Sequence, residues 1–229
     1  MSPWFGQPAA RTATASRPAA PLWEAEERSA AGASPEPRSG IARAVQMQDR
    51  YIVVESGDGI EVIDQHALHE RVLYERFKAA VAVGDVEVQR LLIPERVDLE
   101  ASELELVTDH ASALGRAGMH VEPFGGATVI VTAKPALAGS TPAAELLHEV
   151  LGRLAAAAAG GDAGMLVDEV LHGLACRSAI KAGDPLSQAE VDSLVRDRRT
   201  VPDSHHCPHG RPTSLVLSRQ ELDRPFRRT

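Results

Sequence analysis

The chain changes from a strand pattern to a helix pattern at Asp64, and this change constrains the fold more than any other feature. Residues 51–55 and 60–64 are rich in β-forming side chains, and the turn Ser56-Gly57-Asp58-Gly59 joins them, so a β-hairpin is predicted. From about residue 66 to 81 apolar residues recur every four positions, which predicts a helix. The folded part therefore opens with a hairpin that leads into a helix, with Asp64 at the junction.

Further elements are predicted along the rest of the chain. They are a helix over 101–117, strands over 119–124 and 128–132, a helix over 142–159, a helix from 165 to 182 closed by Gly183-Asp184-Pro185, a helix over 188–196 and a strand over 214–218. Ser187 and Glu190 predict a capping pair at the start of the helix at 188. This mixture predicts an α+β fold, in which the segment from about residue 91 to 164 is an inserted subdomain.

Residues 1–40 differ in composition from the rest of the chain. Ala, Pro, Ser, Arg and Gly dominate this segment, and its prolines interrupt any sustained periodicity. Such a composition offers little apolar surface to offset the entropy of the chain, so a disordered linker or tail is predicted.

Charge and composition limit the classes of function. The formal net charge of −8 argues against a broad basic face for DNA, and an aromatic content of 3% argues against base stacking. Any contact with DNA should be local, weak or assisted by a partner. Two cysteines, no signal peptide and no apolar run of about 18 residues predict a soluble, cytoplasmic chain in a reducing compartment, without membrane contact.

Three short strings, set far apart, contain both cysteines and a compact set of metal-binding side chains. They are Asp64-Gln65-His66-Ala67 with Glu70 and Glu75 behind it, Ala175-Cys176-Arg177, and Cys207-Pro208-His209-Gly210-Arg211-Pro212. Thiolate, imidazole and carboxylate bind zinc, and manganese accepts the last two. One metal site built from all three strings is the simplest explanation, and a disulfide between the two cysteines is the alternative.

These strings match a known family. The chain resembles the C-terminal dimerisation and endonuclease region of DNA mismatch repair proteins of the MutL family, in the lineages that nick DNA. The family's nuclease signature is D-Q-H-A-x-x-E-x-x-x-x-E, and residues 64–75 match it in full. Three further motifs of the family are also present: A-C-R at residues 175–177, C-P-H-G-R-P at residues 207–212, and F-x-R at Phe226 and Arg228. The four motifs occur in family order and cover the chain beyond residue 40.

The resemblance implies a site, a cofactor and partners. The implied metal ligands are Asp64, His66, Glu70, Cys176, Cys207 and His209, with Asp64, His66 and Glu70 as the catalytic set and Zn²⁺ and/or Mn²⁺ as the cofactor. It implies a homodimer that binds DNA weakly and without sequence preference, acts with the mismatch recognition protein MutS and is associated with the bacterial nucleoid. The family's ATPase head has no counterpart here, so a separated fragment or a truncated chain is expected.

The resemblance also implies a division into lobes. Residues 41–88 and 165–229 would form a dimerisation and endonuclease lobe, and residues 89–164 an external regulatory lobe. Six ligands exceed the needs of one tetrahedral zinc, which favours one or two ions with open positions. A closed structural zinc site is the alternative.

Four charged residues border the implied ligands. Glu75 lies about 140° around the helix from Glu70, so it is expected to orient a ligand rather than bind the ion. Arg177, Lys181 and Arg211 are the local cations that could hold a scissile phosphate. A solvated helix surface explains Arg177 and Lys181 equally well.

Residues 89–94 fit the Q-x-x-L-x-P peptide by which bacterial proteins bind the replication sliding clamp. Gln89, Leu92 and Pro94 are its defining positions, and nicking relatives of the family carry the peptide at this place. A plain strand that enters the subdomain is the alternative. For the whole chain, the competing hypothesis is a non-catalytic module, stabilised by zinc, that dimerises and binds the clamp.

Overall fold

A computed structural model describes residues 43–84, 86–158, 165–208 and 210–227. The tail predicted over residues 1–40, the candidate ligand His209 and the motif residue Arg228 lie outside this part of the chain. The described part is an α+β fold, as predicted. None of its helices is long and apolar enough to cross a membrane.

The first sheet is antiparallel and has the strand order β1-β2-β3-β7. Its strands are β1 (Ala44–Met47), β2 (Tyr51–Ser56), β3 (Gly59–Asp64) and β7 (Ser214–Ser218). The predicted hairpin is confirmed, with Ser56 opposite Gly59. A side chain at Gly59 would collide with the carbonyl oxygen of Leu217 on β7, so the glycine allows close approach of the two strands.

Strand β1 was not predicted from the sequence. It pairs with β2 through a tight turn in which Gln48 and Asp49 adopt φ values of 53° and 48°. Such values favour glycine, asparagine or aspartate. Asp49 fits this preference, but Arg50 rather than glycine follows it, so the usual Asn-Gly or Asp-Gly signal for a hairpin is missing.

The second sheet is also antiparallel, with the order β4-β6-β5. Its strands are β4 (Val88–Asp98), β5 (His120–Gly125) and β6 (Thr128–Pro135), and the helices beside it are α2 (Ala101–Asp109), α3 (Ala111–Arg116) and α4 (Ala143–Ala158). The single helix predicted over 101–117 is wrong, because the chain breaks at His110. This residue closes α2 through its N–H and accepts the N–H of Leu114 at the start of α3.

The remaining helices are α1 (Gln65–Val83), α5 (Met165–Ser178), α6 (Gln188–Thr200) and α7 (Arg219–Asp223). The Ser187 and Glu190 capping pair is confirmed. Helix α5 was predicted to continue to residue 182, but it ends at Ser178. The N–H of Ile180 donates to His69 Nδ1 on α1 at 2.9 Å, so the helical bond to Cys176 is not made.

Helix α1 contributes to both apolar cores of the molecule. Leu68 and Val72 pack under the first sheet with α6, whereas Leu73 and Phe77 belong to a larger core formed with the second sheet, α4 and α5. Since α5 shares this larger core with residues 89–164, apolar packing is continuous across the predicted boundary at 164. The division into lobes stays a prediction.

Candidate metal centre

Asp64 is the N-cap of α1 and lies beside the segment that follows the Cys-Pro-His loop. Its carboxylate accepts the N–H of Ala67 at 3.0 Å, and its own N–H donates to the carbonyl oxygen of Thr213 at 2.9 Å. The second bond extends the β3–β7 ladder by one step, because Ile63 already pairs with Ser214. The first and third motifs therefore meet at the start of α1.

His66 and His69 hold both backbone polar groups of Ile180. His66 Nδ1 lies 2.7 Å from the carbonyl oxygen of Ile180, and His69 Nδ1 accepts the N–H of the same residue. A carbonyl oxygen only accepts, so Nδ1 of His66 carries a proton, and the lone pair of the neutral ring then lies on Nε2. Metal-binding histidines are commonly oriented by such a bond to a backbone carbonyl. The ring of His66 thus fits a role as a metal ligand.

His69 has an unusual pKa. Burial, followed by repulsion from Arg76, lowers the pKa of its imidazole from 6.5 to about 4. The neutral ring is the form that accepts the Ile180 N–H, since protonation of Nδ1 would replace the acceptor with a second donor. His69 is therefore a neutral structural residue of the motif helix near pH 7.

Protonation of His69 is expected to destabilise the metal-free protein by about 3 to 4 kcal/mol, because its pKa falls from 6.5 in the unfolded chain to about 4 in the folded chain and each pKa unit corresponds to about 1.4 kcal/mol. The unfolded chain binds the proton first, at its pKa of 6.5, and the folded chain only near 4. The stabilisation is therefore complete above pH 6.5 and is lost as the pH falls toward 4. Urea unfolding of chelator-treated protein across this range measures it.

His69→Gln is the comparison for this prediction. The glutamine side chain can still accept the Ile180 N–H but does not titrate. The variant should lose less free energy of unfolding over the same pH range, and the difference between the two proteins isolates His69 from the carboxylates. Parallel pH profiles for the two proteins would contradict the prediction.

Glu70 of α1 and Cys176 of α5 lie close enough for the charge of one to affect the other. Glu70 is buried, with 4% of its surface exposed. Burial, and after it the charge of Glu70, raises the pKa of the Cys176 thiol, while a hydrogen bond from Arg153 opposes this shift. A shielded carboxylate beside a thiol is a donor set that suits a divalent cation, whose charge would favour the thiolate. The chemistry of these two residues therefore fits the implied metal.

The Cys-Pro-His loop is held by its own backbone. The N–H of Cys207 donates to the carbonyl oxygen of Arg211 at 2.8 Å, and the N–H of Gly210 donates to the carbonyl oxygen of Cys207 at 2.8 Å. Gly210 adopts φ 78°, which a residue with a side chain rarely adopts. Cys207 is buried, and both cysteines are free thiols, so the disulfide alternative does not hold in this structure.

Three of the four flanking charges have partners within the protein. Glu75 pairs with Arg71 at 3.2 Å, and Arg177 pairs with Glu145. The Lys181 ammonium donates to the carbonyl oxygens of Cys176 and Arg177 at 3.4 and 3.1 Å, which caps the end of α5. Arg211 is exposed.

The residues predicted as ligands approach one another from three elements without forming a complete site. Within the described ranges, which omit His209, no group of three or more His, Cys, Asp or Glu side chains could hold a metal ion. Asp64 caps α1, and His66 and Glu70 lie in its first two turns. The charge of Glu70 acts on Cys176 of α5, and Asp64 bonds to Thr213, next to the loop of Cys207. The six-ligand assignment stays a prediction.

The predicted clamp peptide forms a bulge in an edge strand. Arg90 of β4 pairs with Ala133 and Glu95 pairs with Val131, so residues 91–94 face a single residue of β6. Leu92 and Ile93 are 99% and 79% exposed. The bulge therefore turns two large apolar side chains to solvent. Clamp binding by residues 89–94 stays a prediction.

Comparison with known proteins identifies the family. The family model described as the MutL C terminal dimerisation domain matches residues 44–186, which is more than half of the chain. The chain belongs to this family. The region matched to the MutL C-terminal domain contains the D-Q-H-A and A-C-R motifs and ends before the Cys-Pro-His loop.

Individual MutL proteins from bacteria align over a longer region. DNA mismatch repair protein MutL of Caulobacter vibrioides (strain NA1000 / CB15N) is 41% identical over 192 residues, which are 82% of this chain and 30% of that protein. The MutL proteins of Paramagnetospirillum magneticum and Geobacter sulfurreducens are 38% and 37% identical, over 92% and 83% of this chain and 35% and 31% of their own lengths. The chain thus spans about a third of the length of the curated MutL relatives it matches.

Proposed function

We propose that this chain is the dimerisation and endonuclease region of a MutL-type mismatch repair protein and that it nicks one strand of DNA with Zn²⁺ or Mn²⁺. One observation carries the proposal: the first turns of α1 contact the segments that follow both other motifs. His66 and His69 bind Ile180, four residues beyond Cys176, and Asp64 bonds to Thr213, just beyond the Cys-Pro-His loop. The first motif thereby meets, at one location, the segments that follow two motifs more than a hundred residues away in the chain.

The residues of this location divide into metal-binding and supporting groups. Asp64, His66, Glu70, Cys176, Cys207 and His209 would hold one or two ions, which would polarise the phosphodiester and activate a water molecule. The Ile180 carbonyl group orients His66, and Arg71 engages Glu75. Arg211 is exposed and available to a phosphate group. With a net charge of −8, the chain should bind DNA only weakly and without sequence preference.

Two measurements test this function together. Supercoiled plasmid is incubated with the chelator-treated protein, and Mn²⁺ or Zn²⁺ is then restored, while metal content per protomer is determined on the same sample. Conversion to the nicked circle that depends on added metal supports the endonuclease. Bound zinc and a dimer without any nicking would instead support the non-catalytic module that dimerises and binds the clamp.

Dimerisation is proposed to use the outer face of the first sheet. Val45, Val53, Val62 and Leu215 stand opposite one another in a row across all four strands. Val45, Met47 and Leu215 are 47%, 52% and 59% exposed, whereas Ile52 and Ile63 on the other face are fully buried under helices. An apolar sheet face that the described residues leave exposed suits a second copy of the same chain, as the name of the family suggests.

The exposed bulge at residues 91–94 supports binding to the replication sliding clamp. It presents Leu92 away from the sheet, while Gln89 and Pro94 are also exposed. An extended segment with a protruding apolar side chain is suited to bind a groove on a partner. We also propose contact with the mismatch recognition protein MutS, because the relatives of this chain are DNA mismatch repair proteins.

Replacing Gln89 and Pro94 together with alanine is expected to weaken binding to a purified bacterial sliding clamp by about tenfold or more, as for residues central to an interface. Basal nicking should not change, because the bulge lies on the second sheet. Surface plasmon resonance and the plasmid assay with and without clamp measure the two effects. Phe124→Ala removes another exposed side chain of the same sheet and should leave clamp binding intact. Equal affinity of the double variant and the unchanged chain would refute the docking site.

A further inference from the structure

Gln65 is the least exposed polar residue of the D-Q-H-A motif, and its side chain joins three separate segments. It is fully buried at the first position of α1. Its amide nitrogen lies 2.9 Å from the carbonyl oxygen of Asp49 and 3.2 Å from those of Lys181 and Asp184, and its oxygen accepts from Gln46 Nε2 at 2.7 Å. The side chain therefore links β1, the β1–β2 turn and the connection between α5 and α6.

The connection from residue 180 to 184 is held against α1 by this amide. Within the connection, the N–H of Lys181 donates to the Asp184 carboxylate at 2.8 Å. The N–H of Gly183 donates to the Asp49 carbonyl oxygen at 2.7 Å, which ties the connection to the β1–β2 turn. The connection begins with Ile180, whose carbonyl oxygen binds His66. Any displacement of the connection would thus move the group that determines which nitrogen of His66 carries the proton.

We infer that Gln65 is a positioning residue of the metal centre: it fixes the 180–184 connection and through it the orientation and tautomer of His66. The inference rests on the proposed metal-dependent function and deepens it. An amide is suited to this position because it donates and accepts at once, and the connected carbonyl groups need donors that a carboxylate lacks. A buried amide with all its groups bonded also holds one arrangement more firmly than apolar packing does.

Gln65→Met tests the inference, since methionine keeps the length and volume of glutamine but makes none of its hydrogen bonds. The first readout is the His66 tautomer in chelator-treated protein, measured by ¹⁵N NMR of the imidazole nitrogens. The unchanged chain should show a single form protonated at Nδ1, and the variant a mixture. The second readout is Zn²⁺ affinity by competition with a chromogenic chelator, expected to fall about tenfold, as for other groups that orient a ligand.

Three further variants keep the test decisive. Asp184→Ala removes the carboxylate that accepts the Lys181 N–H and so loosens the same connection. If Gln65→Met does not fold, this variant provides the test. Asp184→Asn retains an acceptor for the Lys181 N–H and should restore both readouts. Gln188→Met removes an amide bond to the Ala44 carbonyl oxygen of similar length, 2.9 Å, at the start of α6, and it should change neither readout.

The outcomes separate this inference from the proposed function. An unchanged tautomer and unchanged Zn²⁺ affinity in folded Gln65→Met, or in Asp184→Ala where that variant decides, would overturn the positioning role alone. Failure of the unchanged chain to bind Zn²⁺ or Mn²⁺ would overturn the proposed function, and the metal centre that Gln65 is inferred to position would fall with it.

Discussion

Asp64→Asn is expected to lower metal-dependent nicking by more than about a hundredfold, because groups that only orient a metal ligand already contribute tenfold to a hundredfold. The change removes the carboxylate charge and keeps the shape of the side chain. Asparagine caps helices as well as aspartate does, so the bond to the Ala67 N–H at 3.0 Å should survive. The variant should fold and dimerise normally, and plasmid nicking beside light scattering measures both properties.

Asp109→Asn is the matched control. It makes the same change of charge at an exposed residue at the end of α2, remote from the three motifs in sequence. Its nicking should equal that of the unchanged chain. Full activity of Asp64→Asn would remove Asp64 from the catalytic set and leave the non-catalytic module as the better description.

Leu215→Glu is expected to raise the dissociation constant of the dimer by more than about a hundredfold, because burying an unpaired carboxylate costs several kcal/mol. Leu215 lies at the end of the apolar row on the outer face of the first sheet and is 59% exposed. In a two-fold dimer each substitution occurs twice, which doubles the effect on the interface. Sedimentation velocity over a range of protein concentrations measures the dissociation constant.

Val216→Glu is an unusually close control for this substitution. Val216 is the next residue of the same strand and is 60% exposed, but it pairs with Glu61 and points to the face that carries α1 and α6. The two variants introduce the same charge on the same strand at positions of nearly equal exposure, and they place it on opposite faces of the sheet. Dimers that are equally weakened, or equally intact, would show that the outer face is not the interface.

Local patterns were sufficient for much of the secondary structure. The β2–β3 hairpin follows from β-forming residues around a glycine turn, and α1 follows from apolar residues spaced by four. Both signals depend only on residues that are close in sequence, so they can be recognised without knowledge of distant contacts. The α+β class and the family resemblance rest on such local strings.

The expectations that proved wrong have different causes. Helix α5 was expected to continue to residue 182, but His69 of α1 binds the Ile180 N–H that would extend it. This contact joins residues far apart in sequence, and periodicity carries no information about it. The break of the predicted helix 101–117 at His110 and the pairing of β1 with β2 are local, and neither is marked by a glycine at the turn.

The candidate site divides in the same way. The sequence by itself determined which residue types can bind a metal and that three strings contain them, because donor chemistry belongs to the side chain. Only the tertiary structure decided that Ile180 orients His66, that Arg177 is engaged by Glu145 and that Gln65 links α1 to the 180–184 connection. These roles depend on distance and burial between separate elements, which form only when the whole chain has packed.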